Sequence, residues 1–313
     1  MVKKSLRELI EEANECIFAP CIYDCASARA VEMVGFKAMM FSSGELSLAM
    51  NGIIDNGFTS LPELEWAVSR ICDFSPLPLA VDIEDGFGGP LQVYRTCMRL
   101  ARAGASAVQL EDSSSMESET VLLPREQYYA KVKAALAALK GTDCMLIART
   151  NADPATELDE GIERCKKAIE LGADMTTIVK LSNLEDAKYI ASRVPGWKMY
   201  PDVKAENGIP EVTVDQVYPL GFKFMTTHYT LKAAMDGMLE HGKENFKQQG
   251  SVYTCSKKGA TGIYGMSATP LFNPQKWMEL EGKFTGEVKK YTIVGNDVDP
   301  LPEEYSKMVD DEL

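Results

Sequence analysis

The sequence predicts an α/β fold, a parallel (β/α)8 or TIM barrel, and three observations predict it. Eight short apolar runs recur along the chain. Segments of amphipathic helical period fill the spaces between them. Every run ends in polar residues. Alternating strand and helix calls for parallel pairing with helices covering the sheet. Eight such units within about 250 residues fit a closed barrel. An open doubly wound sheet is the alternative, and no G-x-G-x-x-G follows the first strand to support it.

The elements follow in order. Residues 1–16 predict an extra helix before the first strand, opened by a capping box of Ser5 with Glu8. Strands are expected at 17–23, 37–43, 78–84, 106–111, 144–150, 174–180, 197–201 and 222–227. Helical patterns such as LPELEWAVSRICDF and REQYYAKVKAALAAL separate them. Ser60 with Glu63 reads as a second capping box, and the tags AGA, LGA and LGF close helices just before the next strand. Residues 1–249 are therefore expected to form the barrel with its additional helix. Residues 250–313, rich in Gly, Ser, Pro and charge, are expected to form a helical arm ending in an acidic tail.

Composition excludes some classes of function. Against 33 Lys and Arg stand 46 Asp and Glu, a net charge of −13, which argues against nucleic acid as the main partner. The eight cysteines form no C-x-x-C pair and mostly lie inside apolar runs. They are expected to be reduced, buried thiols of a cytoplasmic enzyme. The N-terminus is charged throughout and lacks the apolar stretch of a signal peptide. No run reaches the about 18 apolar residues of a membrane span, so no membrane partner is expected.

Barrel chemistry lies at the carboxyl ends of the strands. Those ends read Tyr23 and Asp24; Ser42, Ser43 and Gly44; Asp82, Glu84 and Asp85; Glu111 and Asp112; Arg149, Asn151 and Asp153; Lys180; Asp202 and Lys204; His228. Asp82, Glu84 and Glu111 end two neighbouring strands. Crowded carboxylates repel one another unless a cation lies between them. Hard oxygen donors without His or Cys beside them suit Mg2+ or Mn2+. The plain alternative is solvated acid after two core strands.

In ordered set, these motifs resemble the isocitrate lyase/phosphoenolpyruvate mutase superfamily. YDCASARAVEMVGFKAMMFSSG, NGIIDNGFTS, VDIEDGFGG, GASAVQLED, ARTNA and LDEGIERCKKAIELGADM carry the resemblance, over roughly residues 17–240. It implies a barrel whose eighth helix is exchanged between subunits, in a homotetramer. It also implies Mg2+ and a small 2-oxo or 2-hydroxy carboxylate as substrate. Carried over by position, Asp82 would bind the metal. Glu84 and Glu111 would act directly or through water, and Asp55 would hold metal-bound water. The Ser43–Gly44 backbone would take the substrate carboxylate and Arg149 would pair with it. Tyr23 is the candidate proton donor, and His228 a candidate substrate contact at the rim.

Three departures from the family pattern stand out. Glu84 replaces an Asp. The segment SSSMESETVLLPRE replaces a loop that carries Lys-Arg-Cys-Gly-His in the lyases. Val179 and Lys180 stand where the family often has Glu or His. Together they favour a decarboxylase or a diverged carbon–carbon lyase working through a metal-stabilised enolate. They predict no isocitrate or methylisocitrate lyase activity, since those reactions rely on the absent Cys; succinate release from either substrate would contradict this. The alternatives are phosphonomutase chemistry, a Schiff-base aldolase built on Lys180, and an inactive barrel. A Lys180 that instead pairs with Glu111 or Glu84 is the simpler reading of that residue.

Overall fold

The computed structural model describes residues 4–113, 121–262, 265–288, 290 and 291. Seven parallel strands come first: β1 (Ile17–Ile22), β2 (Met39–Phe41), β3 (Leu79–Asp82), β4 (Ala107–Glu111), β5 (Met145–Thr150), β6 (Met175–Ile178) and β7 (Trp197–Tyr200). A small antiparallel hairpin, β8 (Ala205–Glu206) with β9 (Ile209–Pro210), precedes the eighth barrel strand, β10 (Phe222–Thr227). β10 pairs with both β7 and β1 and closes the barrel, with Ile17 opposite Phe224. All eight predicted strands are present. Half of the segment SSSMESETVLLPRE, residues 114–120, lies outside the described residues, and so does most of the acidic tail.

The helices are α1 (Leu6–Glu12), α2 (Cys25–Val34), α3 (Ser43–Leu46), α4 (Leu61–Phe74), α5 (Pro90–Arg102), α6 (Arg125–Leu139), α7 (Pro154–Leu171), α8 (Leu184–Ala191), α9 (Val214–Val217) and α10 (Thr230–Gln248). Both expected capping boxes form. Glu8 accepts from the Ser5 amide at 2.8 Å and Glu63 from the Ser60 amide at 2.7 Å. The extra helix α1 buries Leu6 and Ile10 in the same apolar cluster as Ile17, Met145 and Phe224, and Arg7 pairs with Asp174 at 2.7 Å. Asp174 immediately precedes β6, so α1 closes the amino-terminal mouth of the barrel.

Side-chain alternation along each strand sets what faces inward. Ala19, Met40, Ala80, Ala107, Met145, Ile147, Met175, Met199 and Phe224 fill the interior. The opposite parity, including Phe41, Val81, Val108 and Leu146, packs against the surrounding helices. Two residues on from the interior set, the same inward parity reaches Asp82, Gln109, Arg149, Thr177 and Thr226. The apolar lower layers thus carry a polar upper layer. Parity also splits the Glu111–Asp112 pair: Glu111 faces in, while Asp112 faces out toward α7.

The chain divides into two compact units, Val2–Val31 with Phe36–Leu231, and Glu32–Gly35 with Lys232–Leu313. The two units part within α10. Along that helix only Thr230 is buried. In the second unit α10 is followed by α11 (Val252–Ser256) and α12 (Pro274–Thr285). His241 Nδ1 lies 3.0 Å from Thr254 Oγ1 there.

Candidate active site

An open cavity lies at the carboxyl ends of the strands, lined by Asp82, Gln109, Arg149, Thr177, Asp202 and His228 among others. Arg149 is its hub. NH1 lies 3.3 Å from Asp82 Oδ2, NH2 lies 3.0 Å from Glu111 Oε2, and Nε donates to Asn151 Oδ1 at 2.9 Å. Asn151 in turn donates to Glu111 at 2.5 Å and to Ser113 Oγ. Burial works against the charge of Arg149, but Glu111 and Asp82 outweigh it and the guanidinium stays protonated.

The acids outnumber this one cation. Burial, with repulsion from Glu111 and Asp55, raises Asp82 to about 6 despite Arg149. Glu84 is 6% exposed, sits at a left-handed φ of 52°, and is pushed up to about 10 by burial and then by Asp82, Glu111 and Asp55. Ser43 Oγ is buried beside Glu84 without a hydrogen bond of normal geometry, and the Gln109 Oε1 atom is likewise unpartnered. Ser42 caps α3 by accepting from the Glu45 amide at 3.1 Å. The Ser43 and Gly44 amides belong to the first turn of a helix, which has no internal partner for them. A Cβ on Gly44 would meet Asp55 Oδ2 at 2.7 Å, so only glycine lets that carboxylate lie against the turn.

These residues fit a small hard cation. Four carboxylates, Asp82, Glu84, Glu111 and Asp55, influence one another around a single arginine, and oxygen donors prevail. Their oxygens are spread wider than one coordination shell. Among the described residues, only Cys21, Asp202 and His228 bring three such ligand atoms within 4.8 Å of one another. Mg2+ keeps several of its own waters, so Asp82 as direct ligand with Glu84, Glu111 and Asp55 acting through water suits the spacing. The raised carboxyls carry a stability consequence. The folded chain holds protons on Asp82 and Glu84 above the unfolded value of about 4, so metal-free stability falls as pH rises from there toward 10. Thermal melts of the EDTA-treated protein should drop between about pH 6 and pH 9, and Mg2+ should stabilise more at the higher pH. A melt that rises over that interval would contradict the assignment.

The opposite wall belongs to His228. Nδ1 lies 3.1 Å from Glu45 Oε1 and Nε2 lies 3.2 Å from Asp202 Oδ1. Burial lowers its proton affinity, but Asp202, Cys21 and Glu45 raise it further, so the ring is an imidazolium. Thr226 Oγ1 donates to Asp202 at 3.1 Å, and Thr230 Oγ1 donates to Glu45 at 3.2 Å. Sequence reasoning singled out His228 but missed Glu45 and Cys21. The signal was available: Glu45 directly follows the S-G turn, and Cys21 shares the inward parity of Ala19.

Two other candidates remain. Tyr23 is buried at the end of β1, and burial followed by Asp24 and Glu45 raises its hydroxyl pKa. Lys180 follows β6 with a left-handed φ of 62°, its side chain 59% exposed and 3.9 Å from Asp153. It pairs with neither Glu111 nor Glu84, because the chain turns outward after Ile178. Asp112 is taken up structurally, accepting from Thr150 Oγ1 at 2.6 Å, from the Asn151 amide at 2.8 Å and from Arg164 at 3.1 Å.

A closed parallel barrel with this acid-lined, arginine-centred cavity defines an enzyme of the barrel class whose chemistry lies at the strand ends. A profile described as phosphoenolpyruvate phosphomutase matches residues 6–245, and the chain belongs to that family, within the isocitrate lyase/phosphoenolpyruvate mutase superfamily of carbon–carbon lyases, decarboxylases and phosphonomutases. It is similar to the petal death protein of Dianthus caryophyllus, at 30% identity over 297 residues, 93% of this chain and 92% of that one. It is similar to 2-methylisocitrate lyase of Aeropyrum pernix, at 33% identity over 228 residues, 70% and 71% of the two chains. Among solved structures, oxaloacetate acetylhydrolase with the inhibitor 3,3-difluorooxalacetate superposes with a TM-score of 0.80 at 26% identity, over 92% of this chain and 98% of that one.

Proposed function

We propose that the enzyme makes or breaks a carbon–carbon bond in a small 2-oxo or 2-hydroxy carboxylate, as a lyase or decarboxylase, with Mg2+ or Mn2+ at Asp82. One observation carries the reading: Asp82, Glu84 and Glu111 gather around a single arginine, Arg149, and burial followed by the neighbouring carboxylates pushes Glu84 up to about 10. A divalent cation there supplies the charge that stabilises a developing enolate. Arg149 and the Ser43–Gly44 amides orient the substrate carboxylate, Arg149 by its fork of donors. The imidazolium of His228 adds positive charge on the far wall. Tyr23 or solvent returns a proton to carbon after the bond breaks; the raised hydroxyl pKa keeps that proton in place near neutral pH.

Decarboxylation of an oxaloacetate-like acid needs the fewest groups, and the similarity to a structure bound to a fluorinated oxaloacetate supports that class. Phosphonomutase chemistry is the second reading, supported by the family description. The Schiff-base reading loses its support, because Lys180 is exposed and lacks the desolvation that activates such a lysine. We also read α10 as the helix exchanged within a homotetramer, since Met235, Met238, Leu239 and Phe246 lie exposed along it; a monomeric mass by light scattering would contradict this. No helix among the described residues is long and apolar enough to cross a membrane.

The test is a panel of 2-oxo and 2-hydroxy diacids assayed with Mg2+, watching for pyruvate, oxaloacetate, glyoxylate or CO2. At least one should turn over, and EDTA or Asp82→Ala should abolish it. Turnover that survives both would remove the metal from the mechanism.

A further inference from the structure

We propose that Cys21, Asp202 and His228 form a second cation site in the same cavity, suited to a borderline divalent ion of the zinc type and separate from the hard-cation site at Asp82. The inference does not depend on the reaction proposed above. Its three donors come from the carboxyl ends of β1, β7 and β10, which are direct neighbours in the closed sheet, so the fold itself holds them together. One ligand atom from each lies within 4.8 Å of the other two.

The spacing is that of ligands around an ion. His228 Nε2 and Asp202 Oδ1 stand 3.2 Å apart. Two bonds of about 2.1 Å at a tetrahedral angle separate nitrogen and oxygen by about 3.4 Å. An ion can therefore replace the shared proton with a shift of a few tenths of an ångström.

The surroundings match those of a histidine ligand. A metal-bound histidine commonly donates its other ring nitrogen to a carboxylate, which fixes the tautomer and turns the free nitrogen to the ion. Glu45 Oε1 stands 3.1 Å from Nδ1 in that position, and Glu45 is itself held by Thr230. Asp202 is anchored by Thr226 through its carboxylate at 3.1 Å and through its amide at 3.0 Å. All three donors line the cavity that also holds Asp82 and Arg149. Three protein ligands with a fourth direction open to a cavity is the arrangement of exchangeable rather than closed zinc sites.

Donor chemistry separates the two sites. Thiolate and imidazole select zinc-like ions, and carboxylates with water select Mg2+. Charge balances as well. Without an ion the trio is a thiol, a carboxylate and an imidazolium. Binding expels the Cys21 and His228 protons as two positive charges arrive, so the net charge of the trio is unchanged. Burial keeps the Cys21 thiol protonated otherwise, at about 12, and a coordinating ion removes that proton.

The test is a Co2+ titration of the chelator-stripped, full-length protein in excess Mg2+, read by absorbance. One equivalent should give a near-ultraviolet sulfur-to-cobalt charge-transfer band, with about two protons released per ion. Zn2+ should bleach it. Cys21→Ser, nearly the same shape, should lose the band, and His228→Gln should lose binding. Glu45→Gln should weaken it about 10–100-fold. Asp82→Ala should leave the band unchanged, so failure here is distinguishable from failure of the Mg2+ reading. The proposal is overturned by absence of the band, by a band that persists in Cys21→Ser, or by a band that disappears in Asp82→Ala.

Discussion

Arg149→Lys is expected to lower kcat by about 10²–10³ while the barrel still folds. The guanidinium reaches Asp82, Glu111 and Asn151 in three directions at 3.3, 3.0 and 2.9 Å. An ammonium is a compact charge on a flexible stem and cannot hold all three geometries at once. Charge is retained, so two acids are not left wholly bare in the interior, and far-UV circular dichroism should be unchanged. What is lost is the fixed fork for the substrate carboxylate and the brace that holds Asp82 apart from Glu111. Kinetics on whichever diacid turns over would check this. A variant within threefold of the wild type would show that Arg149 is only a structural ion-pair partner.

The largest effect on stability is expected from Asp112→Ala. Asp112 is fully buried and Arg164 is 4% exposed. Arg164 bonds Asp112 at 3.1 Å, donates to the Leu123 carbonyl at 2.9 Å and pairs with Glu160 at 2.7 Å. Removing the carboxylate strips Arg164 of its most buried partner and leaves the Thr150 hydroxyl and Asn151 amide without their acceptor. Breaking a buried pair from one side costs about 3–5 kcal/mol. At this size, with an unfolding entropy of about 2.1 cal/mol/K per residue, that lowers Tm by roughly 5–8 °C, readable in a thermal melt. The cost falls on stability first, since Asp112 faces α7 rather than the cavity. A melt displaced by less than a few degrees would contradict it.

Much of the fold was legible in the sequence because each strand carries its own signal. VDIE and VQLE state both an apolar core and a polar end, and the capping boxes at Ser5 and Ser60 mark helix starts within a few residues. The acidic half of the site was legible for the same reason: Asp82, Glu84 and Glu111 announce themselves locally. The other half was not. Glu45 meets His228 across 183 positions of sequence, and Cys21 joins them only because β1 and β10 pair to close the barrel. No local pattern encodes that closure. Lys180 looked well placed because it ends a strand run, but the backbone leaves the strand at Ile178 and takes a left-handed turn that carries the side chain to the rim. Asp112 resembled a rim acid until strand parity turned it outward.

The central claim is that the Asp82 cluster, loaded with a divalent cation, stabilises an enolate of a 2-oxo acid. Its most direct test is deuterium uptake at C3 of small 2-oxo acids, pyruvate and oxaloacetate first, followed by proton NMR in D2O. The account predicts exchange faster than buffer with the Mg2+-loaded enzyme, returning to the buffer rate with EDTA and in Asp82→Ala. Exchange that persists in both, or borohydride trapping of the same acid on Lys180, would contradict it.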